Sequence, residues 1–388
     1  MKSATLTFIR QRFTEYYERV HLTPPSSSAE REFGFIFFEG NYPEDIRMRR
    51  HIGFGSPEEM QEYIKNLVPA HAYYSTAYYR TPQASTMGDK GWLGADLIFD
   101  LDADHILRGS YQEMLERIKV ETIKLIDVLD EELGIDMRTV RLVFSGGRGY
   151  HIHVQEIALR GYDSQERREV IDYICGIGIN PGQMLSGYLP SQRGWHQRYR
   201  SALITYLNEL STMPQTEAKA SLCKLRGIGE TRAVRFLKNA PEILREITTD
   251  PRTVNIRDPT TIEILTILTT EKESPLHVKI REAGIQADEP VTTDTRRLIR
   301  LPGSLHAKSG FRVTPLSTKE LLEFDPLIDA VPFGDRGVQV EAPRDYCVSL
   351  LGDTWQIHSG KQSVPEAVAL FLCCRGMAEI AGGEPHAS

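Results

Sequence analysis

The 388-residue sequence is poor in cysteine, in long apolar runs and in net positive charge. Its five cysteines are scattered and form no CxxC pair, which argues against a disulfide framework or a compact zinc site and fits a reducing cytoplasm. No apolar stretch has the length of a signal-peptide core or a membrane span. A Walker A loop is also missing. We therefore expect a cytoplasmic protein without a membrane segment or zinc.

The charge balance is acidic, with 53 Asp and Glu against 46 Lys and Arg and a formal net charge of -7. A globally acidic chain is not a general binder of polyanions. Any contact with nucleic acid must therefore come from local basic patches or from a partner subunit. The candidate template-binding residues belong to two short basic clusters, Arg47, Arg49 and Arg50 in one and Arg232 and Arg235 in the other.

The length is sufficient for two domains or for one large domain with an insertion. We interpret residues 1–158 and 285–330 as a discontinuous α/β core, residues 159–284 as a mainly helical insertion, and residues 331–388 as a C-terminal strand and helix segment. Ser56 before Pro57 predicts the start of a helix. A strand is predicted at Val291, and a helix over residues 364–380.

Acidic and apolar residues alternate in the segment GADLIFDLDADH, residues 94–105. Side chains alternate across a strand, so one face carries Leu97, Phe99 and Leu101 and the other carries Asp96, Asp100, Asp102 and Asp104. Carboxylates two residues apart, about 7 Å at Cα, can converge on a pair of divalent cations about 3.5–4 Å apart. Hard oxygen ligands favour Mg²⁺ or Mn²⁺. A solvated strand end is the alternative.

An EF-hand is a further alternative for the same acids, because their spacing fits its first three ligand positions. It is excluded because its sixth position would be His105 instead of glycine, and its twelfth Tyr111 instead of glutamate.

A glycine-rich turn lies between two predicted strands in the segment SGGRGYHIHV, residues 145–154. Glycines allow close approach of the backbone to a ligand, and exposed N–H groups in such a turn can bind an anion. Ser145 adds a hydroxyl, Arg148 adds a guanidinium suited to phosphate, and His151 follows on the next strand. The turn is a candidate triphosphate site, and a simple hairpin with an exposed arginine is the alternative.

A third segment, DEPVTTDTRRLIRLPGSLHAKSG at residues 288–310, is dense in residues that bind phosphate or metal. Arg300, His306 and Lys308 could neutralise phosphate oxygens. Asp288 or Asp294 could supply a third carboxylate to the metals. The alternative here is a solvated loop.

Together these three segments resemble the small subunit of archaeal and eukaryotic DNA primases. The upstream segments REFGFIFF, RMRRHIGF and YYSTAYYRTP are similar too, and the resemblance covers about residues 1–320. It implies a primase-type mixed-sheet core with flanking helices and a helical insertion. It also implies a reaction with two Mg²⁺ or Mn²⁺ ions, nucleoside triphosphates as substrates, a single-stranded DNA template and a partner large subunit.

Carried over by residue, the resemblance makes Asp100 and Asp102 the catalytic metal-binding pair. It makes nucleotide contacts of Ser145, Arg148, His151, Arg300 (lysine in some members) and His306. Counting back from Arg300 without a gap favours Asp288 as the third metal and catalytic carboxylate, with Asp294 as the alternative.

Many family members carry a zinc knuckle between the acidic strand and the glycine turn. Residues 103–150 contain no cysteine, so we expect no zinc knuckle there and a plain helix over residues 111–133.

Residues 225–233, LRGIGETRA, look like a helix-hairpin-helix that contacts DNA phosphate. A tight turn between packed helices is the alternative.

The leading hypothesis is therefore the catalytic subunit of a DNA primase, which makes short primers de novo on single-stranded DNA during replication. One alternative is a stand-alone primase-polymerase of DNA repair. The other is a non-catalytic DNA-binding subunit, which would leave the acidic strand unexplained.

Overall fold

The computed structural model describes residues 1–40, 42–103, 109–185, 194–249 and 258–381. These ranges contain 14 α-helices and 17 strands, which confirms the mixed α/β class expected from the sequence. None of the helices in these ranges combines the length and apolar character that crossing a bilayer requires. Asp104 and His105 lie outside the described residues.

The strands are short and pair in antiparallel fashion wherever pairing is described. They are β1 Phe33–Phe37, β2 Met48–Ile52, β3 Pro69–Ser75, β4 Ala77–Tyr79, β5 Trp92–Ala95, β6 Leu97–Asp102, β7 Val140–Phe144, β8 Gly149–Val154, β9 Leu298–Arg300, β10 Leu305–His306, β11 Phe311–Arg312, β12 Thr314–Leu316, β13 Gly337–Ala342, β14 Tyr346–Leu350, β15 Asp353–Ile357, β16 Gly360–Pro365 and β17 Glu379–Ile380.

The helices range from one turn to 20 residues. They are α1 Ser3–Arg19, α2 Pro57–Leu67, α3 Tyr111–Asp127, α4 Ser164–Cys175, α5 Pro181–Met184, α6 Trp195–Thr212, α7 Gln215–Cys223, α8 Glu230–Thr249, α9 Pro259–Thr270, α10 Pro275–Ala283, α11 Glu289–Thr293, α12 Thr318–Glu323, α13 Pro326–Asp329 and α14 Glu366–Cys374.

The chain forms two compact units. The first comprises residues 1–123, 135–168 and 288–388, and the second comprises residues 124–134 and 169–287. The domain boundaries at 158, 285 and 331 stay predictions.

Two four-stranded sheets organise the first unit. Their strand orders are β2-β1-β3-β9 and β12-β7-β8-β6. In the second sheet the acidic strand β6 pairs directly with β8, so that Asp100 lies opposite His151 and Asp102 opposite Gly149. The acidic segment and the glycine turn, about 45 residues apart in sequence, therefore occupy adjacent strands.

The alternation expected for β6 determines which side chains reach solvent. Leu97, Phe99 and Leu101 are no more than 1% exposed, whereas Asp100 and Asp102 are partly exposed. Burying such side chains stabilises a fold by about 1.5–3 kcal/mol each, so the core fixes the face on which the acids stand.

Asp96 is the exception to the predicted acidic face. It is 2% exposed and accepts a hydrogen bond from Arg31 Nη2 at 2.8 Å and another from the Tyr78 hydroxyl at 2.7 Å. Arg31 is fully buried and also donates to the carbonyl oxygens of Ser75 and Thr76. The prediction that grouped Asp96 with the other acids was wrong, because this carboxylate neutralises a buried guanidinium.

The second unit is helical in its described part, apart from turns and connecting segments. Its core brings together apolar residues of α6, α8, α9 and α10, among them Tyr199, Leu203, Phe236, Leu268 and Leu276. Phe236 is 1% exposed, and the other four residues are fully buried. The mainly helical character predicted for this region therefore matches the elements found there.

The sequence predicted the start of a helix correctly where a capping residue determines the backbone conformation. The Ser56 hydroxyl accepts from the Glu59 N–H, with Pro57 at the first helical position, so α2 begins as predicted. The strand predicted at Val291 was wrong, because Pro290 stands in the first turn of the short helix α11.

The C-terminal helix predicted over residues 364–380 was also wrong in extent. In the structure, residues 364–380 form the end of β16, the helix α14 and the short strand β17. Pro365 caps the start of α14, and Gly376, with a φ of 67°, ends it. Likewise α3 ends at Asp127, and a π-helical turn follows over Val128–Glu132.

Candidate active site

A polar cavity of about 780 Å³ opens in the first unit. It lies where β6, β8, β9 and β10 present their polar side chains, and its size is typical of a small-molecule site. Its walls include eight of the residues predicted from the sequence: Asp100, Asp102, Ser145, Arg148, His151, Arg300, His306 and Lys308.

The acids stand at one side of this cavity. Asp100 and Asp102 project from β6, and the backbone N–H of Asp288 donates to the Asp100 carbonyl oxygen at 2.9 Å. This bond fixes the start of α11 against the acidic strand. Asp294 lies elsewhere, exposed beside a shallow depression with Ser164, Arg168 and Glu289. The structure thus brings Asp288, and not Asp294, next to Asp100.

The electrostatics of these acids fit a cation. Burial, followed by the negative charges of Asp102 and Asp288, raises the pKa of Asp100 to about 7. Clustered carboxylates repel one another, and a divalent cation would relieve that repulsion. Across the described ranges, no group of three or more His, Cys, Asp and Glu side chains is already drawn together tightly enough to hold a metal ion. The fit therefore rests on the oxygen donors and on the shifted pKa.

The glycine turn needs its glycines for steric reasons. A Cβ atom on Gly149 would lie 2.1 Å from the Leu101 carbonyl oxygen, and one on Gly146 would lie 2.8 Å from His306 Cβ. Gly146 also has a φ of 74°, which favours glycine. The Ser145 hydroxyl accepts from the Gly147 N–H at 3.2 Å, and Ser309 donates to the Gly146 carbonyl oxygen. The turn is thereby pressed against both the acidic strand and the third segment.

His151 faces the acids directly. Its Nε2 lies 3.6 Å from Asp100 Oδ1, and the residue is 4% exposed. Burial and the neighbouring His153 and Arg300 lower its pKa well below the ordinary value. The ring is therefore neutral, and not a cation, at physiological pH.

Arg300 is held by partners that sequence reasoning did not identify. Its Nη1 donates to His71 Nδ1 at 2.6 Å, and its guanidinium lies 4.5 Å from the centre of the Tyr73 ring. His71 is also in ring contact with His306, with centroids 5.1 Å apart. Burial, followed by the charge of Arg300, lowers the pKa of both histidines. Arg300 and His306 thus line the cavity, and the buried, neutral His71 imidazole contacts both of them.

Known proteins are similar to this sequence over its whole length. The model of the DNA primase small subunit family matches residues 99–318, which is more than half of the chain. The chain belongs to the DNA primase small subunit family. The DNA primase small subunit PriS of Methanospirillum hungatei is 64% identical over 388 residues, covering 100% of both chains. PriS of Methanosphaerula palustris is 51% identical over 383 residues, covering 99% of this chain and 100% of that relative.

In this family member the candidate template residues all have acidic neighbours. Arg47, Arg49 and Arg50 form ion pairs with Asp45, Glu39 and Glu32, respectively. In the second unit Arg232 pairs with Glu263 and Arg235 with Asp258. Apart from the pair with Glu32, whose side chain is fully buried, these are surface pairs, which are weak, so those arginines can exchange partners, but their net charge is offset. Their template role stays a prediction.

The helix-hairpin-helix-like segment of this primase family member connects α7 to α8. Gly227 has a φ of 94°, and its carbonyl oxygen accepts from Arg232 Nη1 at 3.2 Å. This geometry suits a tight turn between packed helices, and Ile228 at the turn is buried. Binding of phosphate here stays a hypothesis.

Sequence reasoning missed three residues of this primase family member, His71 behind Arg300 and the cavity residues Tyr111 and Arg375, because their signals are weak. His71 lies in an apolar strand, where a lone histidine usually belongs to the core, and it contacts Arg300 from 229 residues away. Tyr111 and Arg375 line the cavity from two helical regions that carry no recognisable motif. The role of His71 becomes visible only from the pairing of β3 with β9, in which Tyr73 lies opposite Arg300.

We expect His71→Phe to raise the nucleotide KM about tenfold. The substitution removes the acceptor that positions Arg300, and hydrogen bonds to charged groups contribute about 1.5–3 kcal/mol. Nucleotide titrations of primer extension check this. His153→Phe is the matched control, because His153 is as deeply buried but bonds the Tyr74 hydroxyl, which does not line the cavity, instead of Arg300, which does. Equal nucleotide KM values for the two variants would contradict the role of His71.

Proposed function

We propose that this chain is the catalytic subunit of a DNA primase, joining nucleotides on a single-stranded DNA template by two-metal nucleotidyl transfer. One observation carries the proposal. A single cavity combines Asp100 and Asp102 with phosphate-type donors, among them Ser145, Arg148 and Arg300. An acidic side next to a basic side is what transfer of a phosphoryl group requires, because the reaction both activates a hydroxyl and releases a charged leaving group.

Asp100, Asp102 and Asp288 would hold the Mg²⁺ or Mn²⁺ ions. When bound, two such cations lower the pKa of the attacking 3′-hydroxyl and offset the charge of the departing pyrophosphate. Support for this assignment comes from the oxygen donors and from the raised pKa of Asp100, which burial and then the negative charges of Asp102 and Asp288 bring about.

The remaining side chains would bind and orient the triphosphate. Arg148 and Arg300 offer guanidinium donors to phosphate oxygens, and Ser145 offers a hydroxyl. His151 and His306 are neutral, so they would orient the nucleotide by hydrogen bonds while leaving the net positive charge to the arginines. Holding the reacting groups in line accelerates such a reaction without further covalent chemistry.

A partner would supply template affinity that this chain lacks. Single-stranded DNA usually binds along a positively charged groove in a strongly salt-dependent manner. Here the net charge is -7, and the candidate arginines are already paired with carboxylates. The proposed partner is a primase large subunit. The relatives described above are named small subunits, which fits a heterodimer.

We expect the isolated chain to bind poly-dT weakly at near-physiological salt, about 0.15 M, and to initiate poorly. Addition of the large subunit should give tight binding and efficient synthesis from unprimed poly-dT. Fluorescence anisotropy of labelled poly-dT measures the binding, and product sizing on gels measures the initiation.

The outcomes separate the three functions. Tight binding and full initiation by the isolated chain would favour a stand-alone primase-polymerase. DNA binding without any nucleotide transfer, with or without the large subunit, would favour a non-catalytic DNA-binding subunit. Dependence of synthesis on both subunits supports the proposed function.

A further inference from the structure

The cavity has a wall that none of the three sequence segments supplies. It is formed by the end of α14 and the residues after it, namely Cys373, Cys374, Arg375, Gly376 and Glu379. This wall lies more than 60 residues beyond His306 in the sequence. Arg375 is exposed there, and its side chain is the positively charged group of the wall.

Arg375 rests on an aromatic platform. Its guanidinium lies 4.6 Å from the centre of the Tyr111 ring and 5.3 Å from that of Phe371. The platform is rigid, because Phe371 stacks on Phe311 with centroids 5.4 Å apart and also contacts Tyr111 at 5.7 Å. Within the described ranges, no carboxylate lies at ion-pair distance from Arg375. A stacked guanidinium keeps its edge N–H groups available to a ligand.

The platform is joined to the glycine turn. The Tyr111 hydroxyl donates to the Gly147 carbonyl oxygen, in the turn that carries Arg148. Burial raises the pKa of the Tyr111 hydroxyl. The positive charges of Arg375 and Arg148 lower this pKa, and the negative charge of Asp102 raises it. Arg375 and Arg148 therefore both lie close enough to Tyr111 to affect its pKa, and both line the cavity.

We propose that Arg375 is a further nucleotide-binding residue, which contacts phosphate oxygens of the incoming nucleoside triphosphate. The inference rests on the proposed function and adds to it a residue from outside the three segments. A preordered guanidinium loses little side-chain freedom on binding, so its contact with phosphate is favourable. The cavity is of small-molecule size, which favours a nucleotide over a strand of template.

The experiment compares Arg375→Ala with Arg344→Ala. Arg344 is a matched control, because it is exposed, stacks on Tyr346 at 5.1 Å and does not line the cavity. Primer extension by the complex with the large subunit gives KM and kcat, and titration with a fluorescent ATP analogue gives binding directly. We expect Arg375→Ala to raise KM and the analogue Kd about tenfold, with kcat and template affinity unchanged. Arg344→Ala should behave as wild type.

Two further variants separate loss of phosphate binding from loss of folding. Arg375→Lys should restore part of the analogue affinity, because it keeps the charge but not the planar fork. Arg375→Met keeps the side-chain stem over Tyr111 and serves if the alanine variant unfolds. Wild-type analogue affinity in a folded Arg375→Ala or Arg375→Met variant would overturn the inference, as would a loss confined to template affinity. Failure of the wild-type complex to transfer any nucleotide would instead overturn the proposed function.

Discussion

Asp100→Asn should abolish primer synthesis without destabilising the protein. The substitution removes a cavity carboxylate, and loss of one ligand of a two-metal site costs several kcal/mol of transition-state stabilisation, a decrease in rate of about a thousandfold or more. Primer extension measures the rate, and calorimetric titration with Mn²⁺ measures the loss of metal binding independently of activity. Asp102→Asn and Asp288→Asn should behave in the same way.

The stability of this variant provides a second readout. In the absence of divalent cations, Asp100→Asn should melt at the same temperature as the wild type or higher, because it removes one of several mutually repelling carboxylates. Asp294→Asn is the control, since Asp294 is exposed and does not line the cavity. It should retain synthesis. Normal synthesis by Asp100→Asn would refute the catalytic assignment, and loss of synthesis in Asp294→Asn alone would move the third ligand to that residue.

The opposite pattern is expected for Asp96→Ala, which should destabilise the fold by about 3–5 kcal/mol. Its carboxylate is the buried partner of Arg31, and without it a fully buried guanidinium is left uncompensated. The Tyr78 hydroxyl loses its acceptor as well. Urea denaturation followed by circular dichroism measures the change in the free energy of unfolding.

The double variant Arg31→Met, Asp96→Leu tests whether the unpaired Arg31 charge causes the loss of stability in Asp96→Ala. Replacing both charges by apolar groups of similar size removes the unpaired ion, so much of the stability should return. A change of less than about 1 kcal/mol in Asp96→Ala would show that the ion pair is not needed for the fold. Asp96 and Asp100 are four residues apart, yet one serves the fold and the other the cavity.

Short-range patterns were sufficient to predict the elements that carry the site. Strict alternation in β6 placed Asp100 and Asp102 on the face opposite Phe99, and the glycines between β7 and β8 marked a turn. Both signals depend on neighbouring residues only, so they survive without knowledge of tertiary structure.

Long-range contacts account for what the sequence did not reveal. Asp96 shares the alternation of the other acids, and only its contact with Arg31, 65 residues earlier, makes it structural. Arg375 reaches the cavity by stacking on Tyr111, and His71 reaches the cavity residue Arg300 by a hydrogen bond, and no local pattern encodes either contact. At residues 364–380 the apolar content suited a helix throughout, but Gly376 and the pairing of Glu379 with Glu341 in β13 end it early.

The pairing of β6 with β8 has a consequence for which changes in length this protein can tolerate. Asp100 faces the cavity and Leu101 the core on one strand, while His151 and Ile152 do so on the other. Because side chains alternate, inserting one residue into β8 between Tyr150 and His151 would exchange the two sets beyond it. This strand therefore cannot gain or lose a single residue without moving His151 off the cavity, whereas added length can be absorbed in a surface loop.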